Sequence, residues 1–139
     1  YPHIAVIVAQ APCGIDIETL RKAPYQAIAQ RYFSPEENTY LLTLPDSEKA
    51  HAFFQLWTLK EAAIKAYGVG IAHHLAAFAF DISAKNPQQI KGSALQLWQH
   101  EESGIYISAA VQGEAIIEWH STLWTINDLN HSAFYAENI

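Results

Sequence analysis

The alternation of apolar and polar positions predicts extended structure near the start of the chain. Residues 4–9 (IAVIVA) form an apolar run that predicts a buried strand. After the QAPC break, residues 14–18 (GIDIE) predict a second extended segment, because isoleucines and acidic residues alternate there. A strand that begins so abruptly leads us to expect that the sequence starts inside a domain.

Helix-capping signals predict short helices in the next part of the chain. Residues 24–31 (PYQAIAQR) are typical of a short helix that begins at a proline. In the next helix Ser34 is a suitable N-cap, Pro35 fits the first turn, and Glu37 completes a capping box. This helix is expected to run through YLL and to stop near LTLP.

The longest predicted helix covers about residues 47–67. Asp46 or Ser47 is its expected N-cap, and Gly68, with Gly70 close behind it, is the expected stop at its C-terminal end.

Beyond Gly70 the apolar residues follow the alternation that is typical of strands. Turn residues in the NPQQ, EESG and QGE stretches separate these segments. The predicted strands are FAFDIS (78–83), SALQLW (93–98), IYISAAV (105–111) and AIIEWH (115–120). Residues 121–139 have no pattern that predicts an element. We expect one α+β domain without an internal repeat.

Composition limits the class of protein. A chain of 139 residues, half of them hydrophobic, is long enough for one domain with a substantial core. The single cysteine, Cys13, has no partner for an internal disulfide, which suits a reducing compartment. No apolar run approaches membrane-spanning length, so we expect a soluble, cytoplasmic protein without a membrane partner.

The charge balance limits the class of partner. The formal net charge is −6, from 14 acidic and 8 basic residues, and nucleic acid is therefore not an expected partner. A small anionic substrate remains compatible with this charge if a divalent cation bridges it to acidic side chains.

The GIDIE segment places two carboxylates on one patch. Residues two apart face the same way in an extended chain, so Asp16 and Glu18 share one side. Ile15 and Ile17 are then expected to point into the core. Because two like charges on one side repel each other, their pairing predicts a cation nearby.

A third carboxylate falls on the apolar side of the long helix. At 100° per residue Phe53, Trp57 and Ile64 form one stripe, and Glu61 projects between Trp57 and Phe54. A carboxylate at such a position is costly unless it is paired or bound to a metal.

Two lysines accompany Glu61, and each pattern also has an ordinary explanation. Lys65 lies one turn further on, beside Glu61, and Lys60 lies on the other flank of the stripe. A Glu–Lys pair at this spacing is usually a solvated helix pair, and an acidic pair on a strand is usually exposed. The combination of Asp16, Glu18 and Glu61 instead suggests oxygen ligands for Mg²⁺ and a site for phosphate chemistry.

Three motifs in order resemble the 4′-phosphopantetheinyl transferase superfamily. GIDIE, RYFSPEE and WTLKEAAIKAYGVGI match its G-[IV]-D-[IVL]-E, F-[ST]-x-x-E and W-x-x-K-E-A-x-x-K patterns, the last with a Gly-x-Gly after it. The 45-residue step from Asp16 to Glu61 fits the family's spacing. The resemblance covers about residues 4–80, with a weaker match at YISAAV.

The resemblance implies a Mg²⁺-dependent transferase with holo-acyl-carrier-protein synthase activity. Such enzymes transfer the 4′-phosphopantetheine arm of coenzyme A, their co-substrate, to a serine of an acyl or peptidyl carrier protein and release adenosine 3′,5′-bisphosphate. By position, Asp16, Glu18 and Glu61 correspond to the metal ligands. Glu61 also corresponds to the catalytic base, and Lys65, assisted by Lys60, to a contact with the coenzyme A phosphates.

The resemblance also implies the fold and the assembly. Residues 1–139 correspond to a single domain, the C-terminal half of the larger, two-lobed class, in which a small antiparallel sheet packs against a long helix. A missing N-terminal half, or a homo-oligomer partner, is then needed to complete the cleft. The alternatives are a non-catalytic remnant that binds a carrier or partner and, less favoured by the charge, a Mg²⁺-dependent nuclease.

Overall fold

A long helix packed against a three-stranded antiparallel sheet forms the centre of the molecule. The computed structural model describes residues 3–70, 75–114 and 118–120. Strand β1 (Cys13–Thr19) pairs with β5 (Ile105–Gln112), which pairs in turn with β4 (Leu95–Glu102). Helix α3 (Asp46–Tyr67) lies against β1 and β5. The prediction of an α+β fold with a small antiparallel sheet on a long helix is confirmed.

The core lies between α3 and its neighbours. Tyr106 and Ala110 of β5 face the helix and are fully buried. The buried apolar residues of α3 are Ala52, Phe53, Phe54, Leu56, Leu59, Ala62, Ala63, Ile64 and Ala66. A polar link completes this interface, since the hydroxyl oxygens of Thr58 on α3 and Ser108 on β5 lie 2.7 Å apart.

Two short helices precede α3, close to where the capping signals predict them. Helix α1 spans Tyr25–Tyr32 and helix α2 spans Pro35–Thr43. The predicted capping box is present: the Glu37 amide donates to Ser34 Oγ at 3.2 Å, and the Ser34 amide donates to Glu37 Oε2 at 2.8 Å.

The ends of α3 agree with the prediction at one end only. Gly68 ends the helix in the left-handed conformation, with φ 64°, as its position after the last helical residue predicts. The prediction of Asp46 or Ser47 as N-cap is wrong, because the cap position is Pro45 and it offers no side-chain hydrogen bond. Asp46 instead accepts a 2.7 Å hydrogen bond from Lys49.

A two-stranded sheet follows a short 3₁₀ turn at Leu75–Ala77. Strand β2 (Ala79–Asp81) pairs antiparallel with β3 (Gln88–Lys91). The sequence predicts β2 but places a turn at the start of β3. That prediction is wrong because β3 is largely exposed and therefore has no apolar alternation to reveal it.

The predicted strand at residues 4–9 is absent from the structure. Residues 3–9 are described and form no strand, and Ile4, Val6 and Val8 are 86, 78 and 85% exposed. A strand needs a neighbouring strand to pair with, and among the described residues β1 pairs with β5 alone, so residues 4–9 have no partner strand.

Part of the last predicted strand, and all of the chain after it, lie outside the described residues. Of residues 115–120, only 118–120 are described, and these form no strand. Residues 121–139 are not among those described. Among the helices that are, none combines the length and apolarity needed to cross a membrane.

Candidate active site

Strand β1 and helix α3 meet backbone to backbone at Gly14. A Cβ atom at this position would lie 2.1 Å from the carbonyl oxygen of Ala62 and 2.5 Å from the amide nitrogen of Ala66. Only glycine fits such an approach. The contact fixes β1 against the part of α3 that carries Glu61 and Lys65.

The acidic side of β1 faces the helix, and the isoleucine side does not. Because side chains alternate along a strand, Asp16 and Glu18 share the side on which Gly14 touches α3. Ile15 and Ile17 lie on the other side, are only partly buried, and are not members of the core cluster. The prediction that these isoleucines point into the core is therefore wrong.

Asp16 is nearly buried and is held by Lys65. The Lys65 ammonium donates to Asp16 Oδ1 at 2.5 Å and to the Ile15 carbonyl at 3.2 Å. Among the described residues, the other carboxylate oxygen, Asp16 Oδ2, is buried without a hydrogen-bond partner. Burial raises the pKa of the Asp16 carboxyl, the hydrogen bond from Lys65 opposes that rise, and the charge of Glu18 adds to it.

Glu18, by contrast, turns towards Arg21. The two side chains form an ion pair that is partly open to solvent. The Arg21 guanidinium also lies 5.3 Å from the centre of the Phe54 ring on α3. Arg21 is absent from the motifs, and sequence reasoning gave it no role.

Glu61 is buried, as the helical wheel predicts, and the negative charges of Asp16 and Glu18 act on its carboxyl group. Its residue is 5% exposed. Burial raises the pKa of the Glu61 carboxyl most, the charges of Asp16 and Glu18 raise it further, and the charge of Lys65 lowers it. The three carboxylates thus interact electrostatically, although they are distant along the chain.

The side chains do not form a ready-made metal centre. Within residues 3–70, 75–114 and 118–120, no group of three or more His, Cys, Asp or Glu side chains is arranged to hold an ion. Two of the three predicted ligands are occupied by cations of the protein itself, Asp16 by Lys65 and Glu18 by Arg21. The donor chemistry still fits Mg²⁺, which prefers carboxylate oxygens, and the unpartnered Asp16 Oδ2 offers one.

Lys60 lies away from this site, in the interior of the protein. Its side chain is 0% exposed, and its ammonium donates to the Leu75 and Phe78 carbonyls at 2.8 and 2.5 Å. The third partner is Glu37 Oε2 at 2.7 Å. These three partners use all of the ammonium protons, so Lys60 has none left to donate to a coenzyme A phosphate.

Glu37 does more than the capping box predicts. Its side chain is 0% exposed, and besides Lys60 and the Ser34 amide it accepts a 3.0 Å hydrogen bond from the Phe80 amide. The Glu37–Lys60 ion pair therefore joins α2, α3 and the chain around β2. The signal that could have revealed it is a lysine at a buried helix position together with a motif glutamate.

Comparison with known proteins places these motifs in a family. The sequence profile of the 4′-phosphopantetheinyl transferase superfamily matches residues 12–126, most of the chain. The chain belongs to this superfamily. Its match includes GIDIE and the whole of α3, and the recognition made from the motifs is confirmed.

Curated members of the superfamily match parts of the chain. It is 43% identical over 76 residues to the 4′-phosphopantetheinyl transferase psf-1 of Bacillus pumilus, covering 55% of this chain and 32% of that protein. It is 48% identical over 60 residues to HetI of Nostoc, covering 42% of this chain and 25% of that protein. The matched segments span only about a quarter to a half of the length of these curated relatives.

A solved structure of the superfamily has the same fold. A holo-(acyl-carrier-protein) synthase from Bacillus anthracis, solved in complex with coenzyme A (3′,5′-ADP), superposes with a TM-score of 0.63 at 19% identity. The superposition covers 73% of this chain and 94% of that one. About three-quarters of this chain therefore has the fold of nearly the whole of that smaller synthase.

Proposed function

We propose that this chain provides the metal-binding half of a 4′-phosphopantetheinyl transferase. The reaction is Mg²⁺-dependent transfer of the 4′-phosphopantetheine arm of coenzyme A to a serine of an acyl or peptidyl carrier protein, with release of adenosine 3′,5′-bisphosphate. Membership of the superfamily supports the reaction class. The observation that carries the proposal is the acidic side of β1, which faces the buried Glu61 across the Gly14 contact.

Asp16, Glu18 and Glu61 are the proposed metal ligands. When bound, Mg²⁺ would neutralise the diphosphate of coenzyme A and so allow an acidic site to accept an anionic substrate. The unpartnered Asp16 Oδ2 and the mutual repulsion of the carboxylates favour a cation at this place.

Glu61 and Lys65 are the proposed catalytic residues. Glu61 would accept the proton that the carrier serine gives up. Burial raises the pKa of the Glu61 carboxyl and so favours its protonated form. Lys65 has a half-exposed side chain on the same helix face and supplies an ammonium group for a coenzyme A phosphate.

The complete enzyme is proposed to need a second lobe. The curated relatives are nearly twice as long as this chain, which favours an N-terminal half as the partner. The superposition on almost the full length of a smaller synthase keeps a homo-oligomer as the alternative.

Mass spectrometry of an apo carrier protein tests this function. The carrier protein is incubated with coenzyme A, Mg²⁺ and this chain, with and without its missing half. We expect the carrier to gain the mass of phosphopantetheine, and to lose that gain with Asp16→Ala, Glu61→Ala or EDTA. Asp46→Ala removes an exposed carboxylate from the start of the same helix and should retain transfer.

Two results would count against the proposal. Transfer that persists in EDTA or in Glu61→Ala would remove the metal site from the mechanism. Binding of the carrier protein without transfer, even when the second lobe is supplied, would favour the non-catalytic remnant.

A further inference from the structure

Lys65 pairs with one oxygen of Asp16, and the other oxygen has no hydrogen-bond partner among the described residues. The Lys65 ammonium group lies 2.5 Å from Asp16 Oδ1. The Lys65 side chain is 46% exposed, whereas the Asp16 side chain is 11% exposed. A half-exposed cation of the protein thus covers one oxygen of an almost buried carboxylate.

The second strand carboxylate is covered in the same way. Arg21 pairs with Glu18, and its side chain is 55% exposed. Water solvates the released cations well, because the Lys65 and Arg21 side chains are already about half exposed. The carboxylates are only 11% and 23% exposed, so losing a protein cation is costly unless another cation takes its place.

We propose that Lys65 is an exchangeable counter-ion of Asp16. It neutralises the carboxylate while the site holds no metal, and a divalent cation displaces its ammonium group. This inference rests on the proposed function. A cation on Asp16 repels an ammonium group at hydrogen-bond distance, and the flexible lysine stem lets that group move out into solvent.

The exchange couples the metal to the anionic substrate. Only after its release from Asp16 does the Lys65 ammonium have all its protons available for a phosphate oxygen. Cation binding thus strengthens the phosphate contact, and by linkage the coenzyme strengthens cation binding to the same degree.

Amine labelling detects the release of Lys65 directly. The chain is treated with an acylating reagent with and without Mg²⁺, in the absence of coenzyme A, and each lysine is quantified by mass spectrometry. We expect Mg²⁺ to increase labelling of Lys65 only roughly two- to fivefold, because the Lys65 side chain is already 46% exposed in the ion pair. Lys49, which pairs with Asp46 on the same helix, is the control and should not change. Unchanged or decreased labelling of Lys65 would overturn the inference.

Metal affinity provides the second measurement. Mn²⁺ binding is followed by the electron paramagnetic resonance signal of the unbound ion. Lys65→Met should bind Mn²⁺ roughly three- to tenfold more tightly than the unaltered chain, because the competing cation is gone. Lys49→Met removes the same charge from the same helix and should leave affinity unchanged.

The outcomes separate this inference from the proposed function. Mn²⁺ binding that weakens or stays equal in Lys65→Met would overturn the exchange alone. Mn²⁺ binding that survives Asp16→Ala, or that is absent from every variant, would overturn the metal site and the exchange with it.

Discussion

The carbonyl oxygen of Ala62 would lie 2.1 Å from a Cβ atom at Gly14. This contact brings β1 so close to α3 that the acidic side of the strand faces the helix that carries Glu61. The site therefore depends on one position where the strand has no side chain.

Gly14→Ala is expected to destabilise the domain by about 2 kcal/mol or more, because the methyl group forces two backbone segments apart. Urea denaturation measures the loss. Gly70→Ala is the matched control, since a Cβ atom there meets no described residue within 4 Å and should change stability little. A Gly14→Ala protein as stable as the unaltered chain would contradict the close approach.

Lys60→Met is expected to cost about 3–5 kcal/mol of unfolding free energy, because it leaves the Glu37 carboxylate buried without its cation. The double variant Glu37→Met, Lys60→Met removes the buried charge but leaves the Ser34 and Phe80 amides without their acceptor, so it should recover only a small part of that loss. Lys49→Met breaks an ion pair on the same helix whose carboxylate is 92% exposed, so water replaces the lost cation and the change should cost far less. Equal losses in the two lysine variants would show that the Lys60 pair is not buried.

The sequence predicted the parts of the fold that local signals determine. The capping box at Ser34 and the glycine stop at Gly68 depend only on neighbouring residues, and both are confirmed. Which side of β1 enters the interior is a tertiary property. Gly14, Asp16 and Glu18 face α3, because the strand and the helix pack backbone to backbone at Gly14 and not through apolar side chains.

The site was predictable as a set of residues but not as a set of contacts. Glu61 is buried as its position on the helix requires. The pairing of Lys65 with Asp16, rather than with Glu61 one turn away, depends on where β1 crosses α3. The burial of Lys60 likewise depends on the chain around Leu75 and Phe78, far along the sequence.

The raised pKa of Glu61 predicts how stability depends on pH when no divalent cation is present. The folded chain binds the Glu61 proton more tightly than the unfolded chain, whose ordinary pKa is near 4.5. Stability should therefore fall as pH rises from about that value through the raised folded pKa, and the loss persists at neutral pH.

Glu61→Gln should remove this contribution. With EDTA present, we expect the variant to have a higher Tm than the unaltered chain at neutral pH and a smaller decline in Tm with rising pH. Glu114→Gln alters an exposed carboxyl and serves as the control. A pH dependence in Glu61→Gln identical to that of the unaltered chain would show that Glu61 ionises without penalty.

The most direct test is whether Asp16, Glu18 and Glu61 form one divalent-cation site for the coenzyme. Coenzyme A is titrated into this chain in a calorimeter, once in Mg²⁺ and once in EDTA. We expect binding in Mg²⁺, at least tenfold weaker binding in EDTA, and a similar loss in Mg²⁺ for Asp16→Ala and Glu61→Ala but not for Asp46→Ala. Coenzyme A that binds equally well in EDTA, or equally well to Asp16→Ala, would contradict the account.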